Sequence, residues 1–267
     1  CYNILIKQEM SLTNENKQFH IDVTKADGAK YAIICGAPER VESIAQYLDN
    51  PQFVAQNREF VTYSGYLSGE RVLVSSTGIG GPSAAIAVEE LHNVGVDTII
   101  RVGTCGGIQL DVPSGELVVA SAAVRMDGTT KEYAPIEFPA VADFTVTRAL
   151  CDACSNEGYN YRVGVVQSKD SFYGQHAPES TAVADSLISK WEAWKRCGVL
   201  VSEMECSTLF VVSSVRGIRA GAVLKVIWNQ ERANNGYNDS DSLDTTPAII
   251  SAVKAMESII RADRREE

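Results

Sequence analysis

Residues 71–95 read RVLVSSTGIGGPSAAIAVEELHNVG, and their pattern decides the fold class. RVLVSS (71–76) has the length and composition of a strand. The glycines that follow break the run, and Pro82 suits the first turn of a helix. Ala84, Ala87, Val88 and Leu91 recur at the spacing of one buried helical face, and Gly95 marks the stop. A strand, a glycine-rich turn and an amphipathic helix form the repeating unit of a layered α/β fold.

The same alternation extends in both directions. YAIIC (31–35) reads as a buried strand ending at Gly36, and FVTYSGY (60–66) as the strand partner of 71–76. DTIIRVG (97–103), ELVVASAAV (116–124), RVGVVQS (162–168) and GAVLKVIW (221–228) are further strands. Helical patterns cover about 141–157, 182–196, 205–216 and 246–262, the last with Ile249, Val253, Met256 and Ile260 on one face. No repeat or linker-like stretch divides the chain. The expectation is one domain over 19–267 preceded by an N-terminal extension, 1–18.

Composition narrows the function classes. Of the 267 residues, 45% are apolar and 22% charged, which supports a packed core. Lys and Arg number 24 against 34 Asp and Glu, a net charge of −10 that argues against a nucleic-acid or phospholipid surface. The seven cysteines are odd in number and irregularly spaced, so they read as reduced core residues of a cytoplasmic protein. Cys151 and Cys154 form a lone CxxC inside a helical pattern and read as two small core residues. No apolar run reaches the ~20 residues of a membrane span, and the first 20 residues are too polar for the core of a signal peptide.

Three arginines stand at strand ends: Arg40 after the first strand, Arg58 before the second, and Arg101 inside TIIRVGTCGG. A charge within an apolar strand demands a partner. For Arg101 that partner is either a structural carboxylate or a bound anion. Guanidinium forks match phosphate oxygens two at a time, and Gly36 and Gly103 allow close backbone approach. Thr104 adds a hydroxyl. No GxxxxGK[ST] loop is present, and STGIGG spaces its glycines differently from a dinucleotide loop.

The segments FHIDVTK (19–25), GAPERVE (36–42), STGIGGPSAAIAVEEL (76–91), IRVGTCGGIQ (100–109), VRMDGTT (124–130), APIEFPAVADF (134–144), KDSFYGQ (169–175), SEMECSTLF (202–210) and VIWNQER (226–232) follow one another in a familiar order. From His20 onward the chain resembles the nucleoside phosphorylases of the purine/uridine type, and its segments resemble the uridine members more than the purine ones. The resemblance implies a three-layer α/β/α sandwich around a mixed, partly barrel-like sheet. It implies phosphorolysis of uridine, with deoxyuridine and thymidine as related substrates. Inorganic phosphate would be a co-substrate and no cofactor would be needed. It also implies a homodimer at minimum, or a hexamer built as a trimer of dimers. By motif, Gly36, Arg40, Arg101 and Thr104 bind phosphate, with Arg58 given by the neighbouring subunit. Thr104, Met204 and Glu205 hold the ribose, and His20 reaches its 5′-hydroxyl from the neighbour. Phe172, Gln175 and Arg232 face the base. Arg101, Glu205 and Gln175 carry the chemistry, and a monovalent cation sits near Glu59.

The chemistry of these side chains agrees. A carboxylate accepts hydrogen bonds from both hydroxyls of a ribose diol and favours a cationic sugar. Glu205 also stands where a helix begins, so a capping role is its simpler reading. The chain departs from the family in three places. No arginine follows Gln175 in QHAPES (175–180), Ala37 replaces an aspartate, and Asn229 stands where the purine members carry an acid. The competing readings are a purine nucleoside phosphorylase, a nucleoside hydrolase and a non-catalytic nucleoside-binding protein.

Overall fold

A computed structural model describes residues 17–239 and 243–266. In chain order its main elements begin with β1 (Tyr31–Cys35), α1 (Pro38–Ala45), β2 (Asp49–Asn57), β3 (Phe60–Leu67), β4 (Glu70–Ser76) and α2 (Gly81–Asn93). Then come β5 (Thr98–Gly107), β6 (Leu117–Met126), α3 (Thr129–Tyr133), β7 (Ala140–Val141), α4 (Phe144–Asn156), β8 (Tyr161–Lys169), α5 (Phe172–His176) and α6 (Ala184–Arg196). The last are β9 (Val201–Glu203), α7 (Cys206–Arg216), β10 (Arg219–Asn229), α8 (Gln230–Asn234) and α9 (Thr246–Glu266). Most of the expected N-terminal extension lies outside the described residues.

The strands make one mixed sheet in the order β10-β6-β8-β9-β5-β1-β4-β3-β2. A further pairing of β10 with β5 closes β5, β10, β6, β8 and β9 into a five-stranded barrel; β1, β4, β3 and β2 extend from it as an open wing, and the short β7 pairs with β6. β5 belongs to both parts. It runs parallel to β1 over Thr98–Val102 and antiparallel to β9 at Gly106 and Gly107.

Side-chain alternation divides the core between the two faces of the sheet. On β1, Ala32 and Ile34 join Val88, Leu91, Leu209 and Val212 of α2 and α7. Tyr31, Ile33 and Cys35 join Val41 and Ile44 of α1, Leu150 of α4, and Val253 and Met256 of α9. This is the three-layer arrangement expected from the resemblance, with the helical face of Ile249, Val253, Met256 and Ile260 buried as its spacing predicts. The six described cysteines are free, and Cys154 is buried on α4. No helix among the described residues is long and apolar enough to cross a membrane.

The differences from the sequence reading have local causes. β2 is not apparent in the sequence because DNPQFVAQN is polar and contains Pro51. It is an edge strand, paired only with β3, where proline is tolerated. The helix expected from 141 starts instead at Phe144, because Asp143 caps it by accepting from the Val146 amide at 2.9 Å. The expected strand at 97–103 continues through the TCGG run because β9 and β10 pair with it there.

Candidate active site

The C-terminal ends of β1, β5, β8 and β9 open onto a cavity of about 920 Å³. Strand ends of this kind are where α/β folds place their ligands. Gly36, Arg40, Arg101, Thr104, Phe172, Gln175, Met204 and Glu205 all line it, as does Glu59. With Glu59, nine positions named from the sequence thus converge from five separate segments of the chain.

Arg101 forms the floor. It lies on the β5 face that packs against α2 and α7, and it is 4% exposed. The guanidinium donates through Nη2 to Glu205 Oε2 and lies 3.5 Å, from Nη1, to Glu203 Oε2. Its carboxylate partners are thus in place, while Nε and Nη1 lack a hydrogen-bond partner among the described residues. Gly103 makes room for this, because a Cβ there would collide with the Arg101 guanidinium. Arg40 lies close enough that Arg101, together with burial, lowers its affinity for its proton. Two cations facing one cavity are best relieved by an anion between them.

Glu205 does not cap α7. Glu203 does, accepting from the amides of Glu205 at 2.8 Å and Cys206 at 2.9 Å, and from Ser168 Oγ. The Glu205 carboxylate instead accepts from the Gly80 amide at 2.6 Å and pairs with Arg101. Gly80 has φ +93°, a conformation that glycine adopts without strain. Burial raises the Glu205 carboxyl above its usual range, while Arg101 pulls it down.

At the far end, Phe172 and Trp228 flank the His176 ring, with centroids 4.3 and 5.5 Å away. Lys169 lines the same end, and the sequence reading gave it no role. Its Nζ donates to Ser202 Oγ at 2.8 Å, and Ser202 donates to Gln175 Oε1 at 2.7 Å. An ammonium only donates, which fixes the direction of this relay and leaves the Gln175 amide nitrogen free to donate. Burial lowers the Lys169 pKa to about 8 against the opposing pull of Glu203, Glu205 and Cys105.

Three expected residues lie outside this lining. Arg232 does not face the base end: its Nε donates to Asp239 at 2.7 Å, its Nη1 to the Leu110 carbonyl, and it stacks on Tyr237. Asp239 competes successfully for the guanidinium. His20 and Arg58 occupy a patch beyond Glu59, tied together by Asn57, whose Nδ2 donates to the His20 carbonyl at 2.9 Å. Asn229 is also outside the lining and structural, donating to the carbonyls of Gln109 and Val112 and accepting from the Arg232 amide.

The barrel-and-wing sheet carries a buried arginine–carboxylate pair at its strand ends, the frame of an α/β protein with its cavity at the strand termini. The sequence matches the Phosphorylase superfamily over residues 30–262, and the chain belongs to that family. It is 51% identical to a uridine phosphorylase of Treponema pallidum over 246 residues, covering 92% of this chain and 95% of the relative. It is 42% identical to a uridine phosphorylase of Haemophilus influenzae, covering 89% and 98%. A guanosine phosphorylase of Halorubrum lacusprofundi is 40% identical, covering 93% and 95%.

Proposed function

We propose that the protein catalyses the phosphorolysis of uridine, yielding uracil and α-D-ribose 1-phosphate. The observation that carries this reading is the buried Arg101–Glu205 pair on the cavity floor, with two guanidinium nitrogens lacking partners. In this reading Arg101, Arg40, Thr104 and the backbone at Gly36 hold phosphate. Glu205 and Met204 hold the ribose, and the remaining lone pairs of Glu205 accept from the 2′- and 3′-hydroxyls.

As the base departs, the sugar takes on oxocarbenium character, which the Glu205 carboxylate favours. Phosphate attacks C1′ from the opposite face, so the configuration inverts and no protein nucleophile is required. Electrons of the broken bond go to the base. At that end Gln175 presents its amide donors, and Lys169 supplies positive charge behind Ser202. We assign to Lys169 the place left by the missing arginine. His20 and Arg58 belong to a neighbour's site: each subunit of a two-fold pair completes the other.

Asn229 is committed to backbone groups and has no proton to give a purine leaving group. Uridine is therefore expected to exceed inosine and guanosine in kcat/KM by at least about tenfold, a modest ratio for a polar base site. Steady-state assays on the three nucleosides check this. Comparable values for uridine and guanosine would move the assignment to purines, which the relative from Halorubrum lacusprofundi keeps in view.

A further inference from the structure

Glu90 lies near the C-terminal end of α2, nine residues beyond Gly81. At a rise of 1.5 Å per residue that is about 13 Å from the helix end that abuts the cavity. It is a mostly buried carboxylate, and among the described residues its ion-pair partner is His20 rather than a lysine or arginine. Its charge is satisfied by donors from one short segment. Glu90 Oε2 accepts from the Ile21 amide at 2.7 Å and the His20 amide at 2.9 Å, and Oε1 faces His20 Nδ1 at 2.6 Å.

A carboxylate accepts only, so Nδ1 must carry the hydrogen in this contact. That leaves Nε2 as the free nitrogen of a ring whose orientation is fixed twice, through its backbone and through its side chain. Phe60 adds an edge contact to the ring at 6.4 Å. Asn57 ties the His20 carbonyl to the turn that carries Arg58. In the singly protonated Nδ1–H form the ring presents one acceptor at its outer tip, suited to a hydroxyl donor.

We propose that Glu90 is a positioning residue: it locks His20 in the Nδ1–H form and so presents Nε2 to the 5′-hydroxyl that the resemblance assigns to this histidine in the partner subunit's site. This rests on the phosphorolysis reading above. A carboxylate that orients a histidine through its second nitrogen is a recurrent device, and its loss misaligns the working nitrogen without removing it.

The test compares uridine with 5′-deoxyuridine, using the wild type, Glu90→Gln, His20→Gln and the double variant. Glu90→Gln should lower kcat/KM for uridine about tenfold, the scale of one lost hydrogen bond, and leave 5′-deoxyuridine nearly unchanged. His20→Gln should do the same, and the double variant should be no worse than His20→Gln alone. Independently of substrate, nitrogen-15 spectra should show His20 hydrogenated at Nδ1 in the wild type and mixed in Glu90→Gln. The chain has only 3 histidines, and the His20→Gln variant assigns the signal. Equal losses on both nucleosides would reduce Glu90 to a structural role and overturn the proposal. Additive losses in the double variant, no loss at all, or a wild-type tautomer at Nε2 would also overturn it. A wild type inactive on uridine with His20 still hydrogenated at Nδ1 would refute the phosphorolysis reading and, with it, the 5′-hydroxyl as ligand.

Discussion

Arg101→Ala is expected to lower kcat/KM for phosphate by two to three powers of ten. The guanidinium is buried, and removing one partner of a buried charged contact costs about 2–5 kcal/mol. Two losses combine. The anion loses a fork, and Glu203 and Glu205 lose the cation between them. Arg101 is the largest influence opposing burial at Glu205, with the Gly80 amide adding to it, so its removal raises that carboxyl further and drives it toward the neutral form. The acid limb of the pH profile should therefore move to higher pH in the variant. Arg101→Lys separates the effects: it keeps a charge beside Glu205 and loses the two-pronged geometry, so it should recover the acid limb more than the phosphate affinity. Wild-type efficiency at limiting phosphate in Arg101→Ala would remove the anion site from this cavity.

Lys169→Met should reduce kcat on uridine by roughly 10²-fold or more, in line with the loss of a preorganised donor at developing negative charge. Methionine fills the space of the lysine stem and removes the ammonium that holds Ser202 and, through it, Gln175. A lysine is protonated below its pKa, which burial lowers here to about 8. The wild type should accordingly lose activity as pH rises through about 8, and Lys169→Met should lack that limb. A purely structural lysine would leave the limb in place. A nucleoside whose base is the better anion, such as 5-fluorouridine, should suffer less from the substitution than uridine, because less stabilisation is asked of the protein. Equal losses on both nucleosides would place Lys169 outside the leaving-group chemistry.

Much of the fold and of the cavity lining was legible because it rests on local signals. The strand–turn–helix unit at 71–95 carries its own periodicity. Arg101 stood out as a charge inside an apolar strand, and the cavity floor is built on it. Lys169 carries a related signal, a cation closing the run RVGVVQS, but it precedes Gln175 where the family's arginine follows it. Sequence could not show that Ser202, 33 residues away, would bring the two together. Arg232 failed for the opposite reason. It follows a strand that reaches the cavity, but the chain turns back and presents Asp239 to it, and no periodicity reports such a return. The capping of α7 by Glu203 rather than Glu205 depends on a difference of two residues at a helix start, below what pattern alone resolves.

The central claim is that phosphate, not water, receives the sugar. The direct measurement is uridine turnover with and without inorganic phosphate, following loss of nucleoside absorbance while identifying the sugar product. Turnover that rises with phosphate to saturation and yields α-D-ribose 1-phosphate is the expected result. Equal turnover in phosphate-free buffer, with free ribose as product, would contradict it.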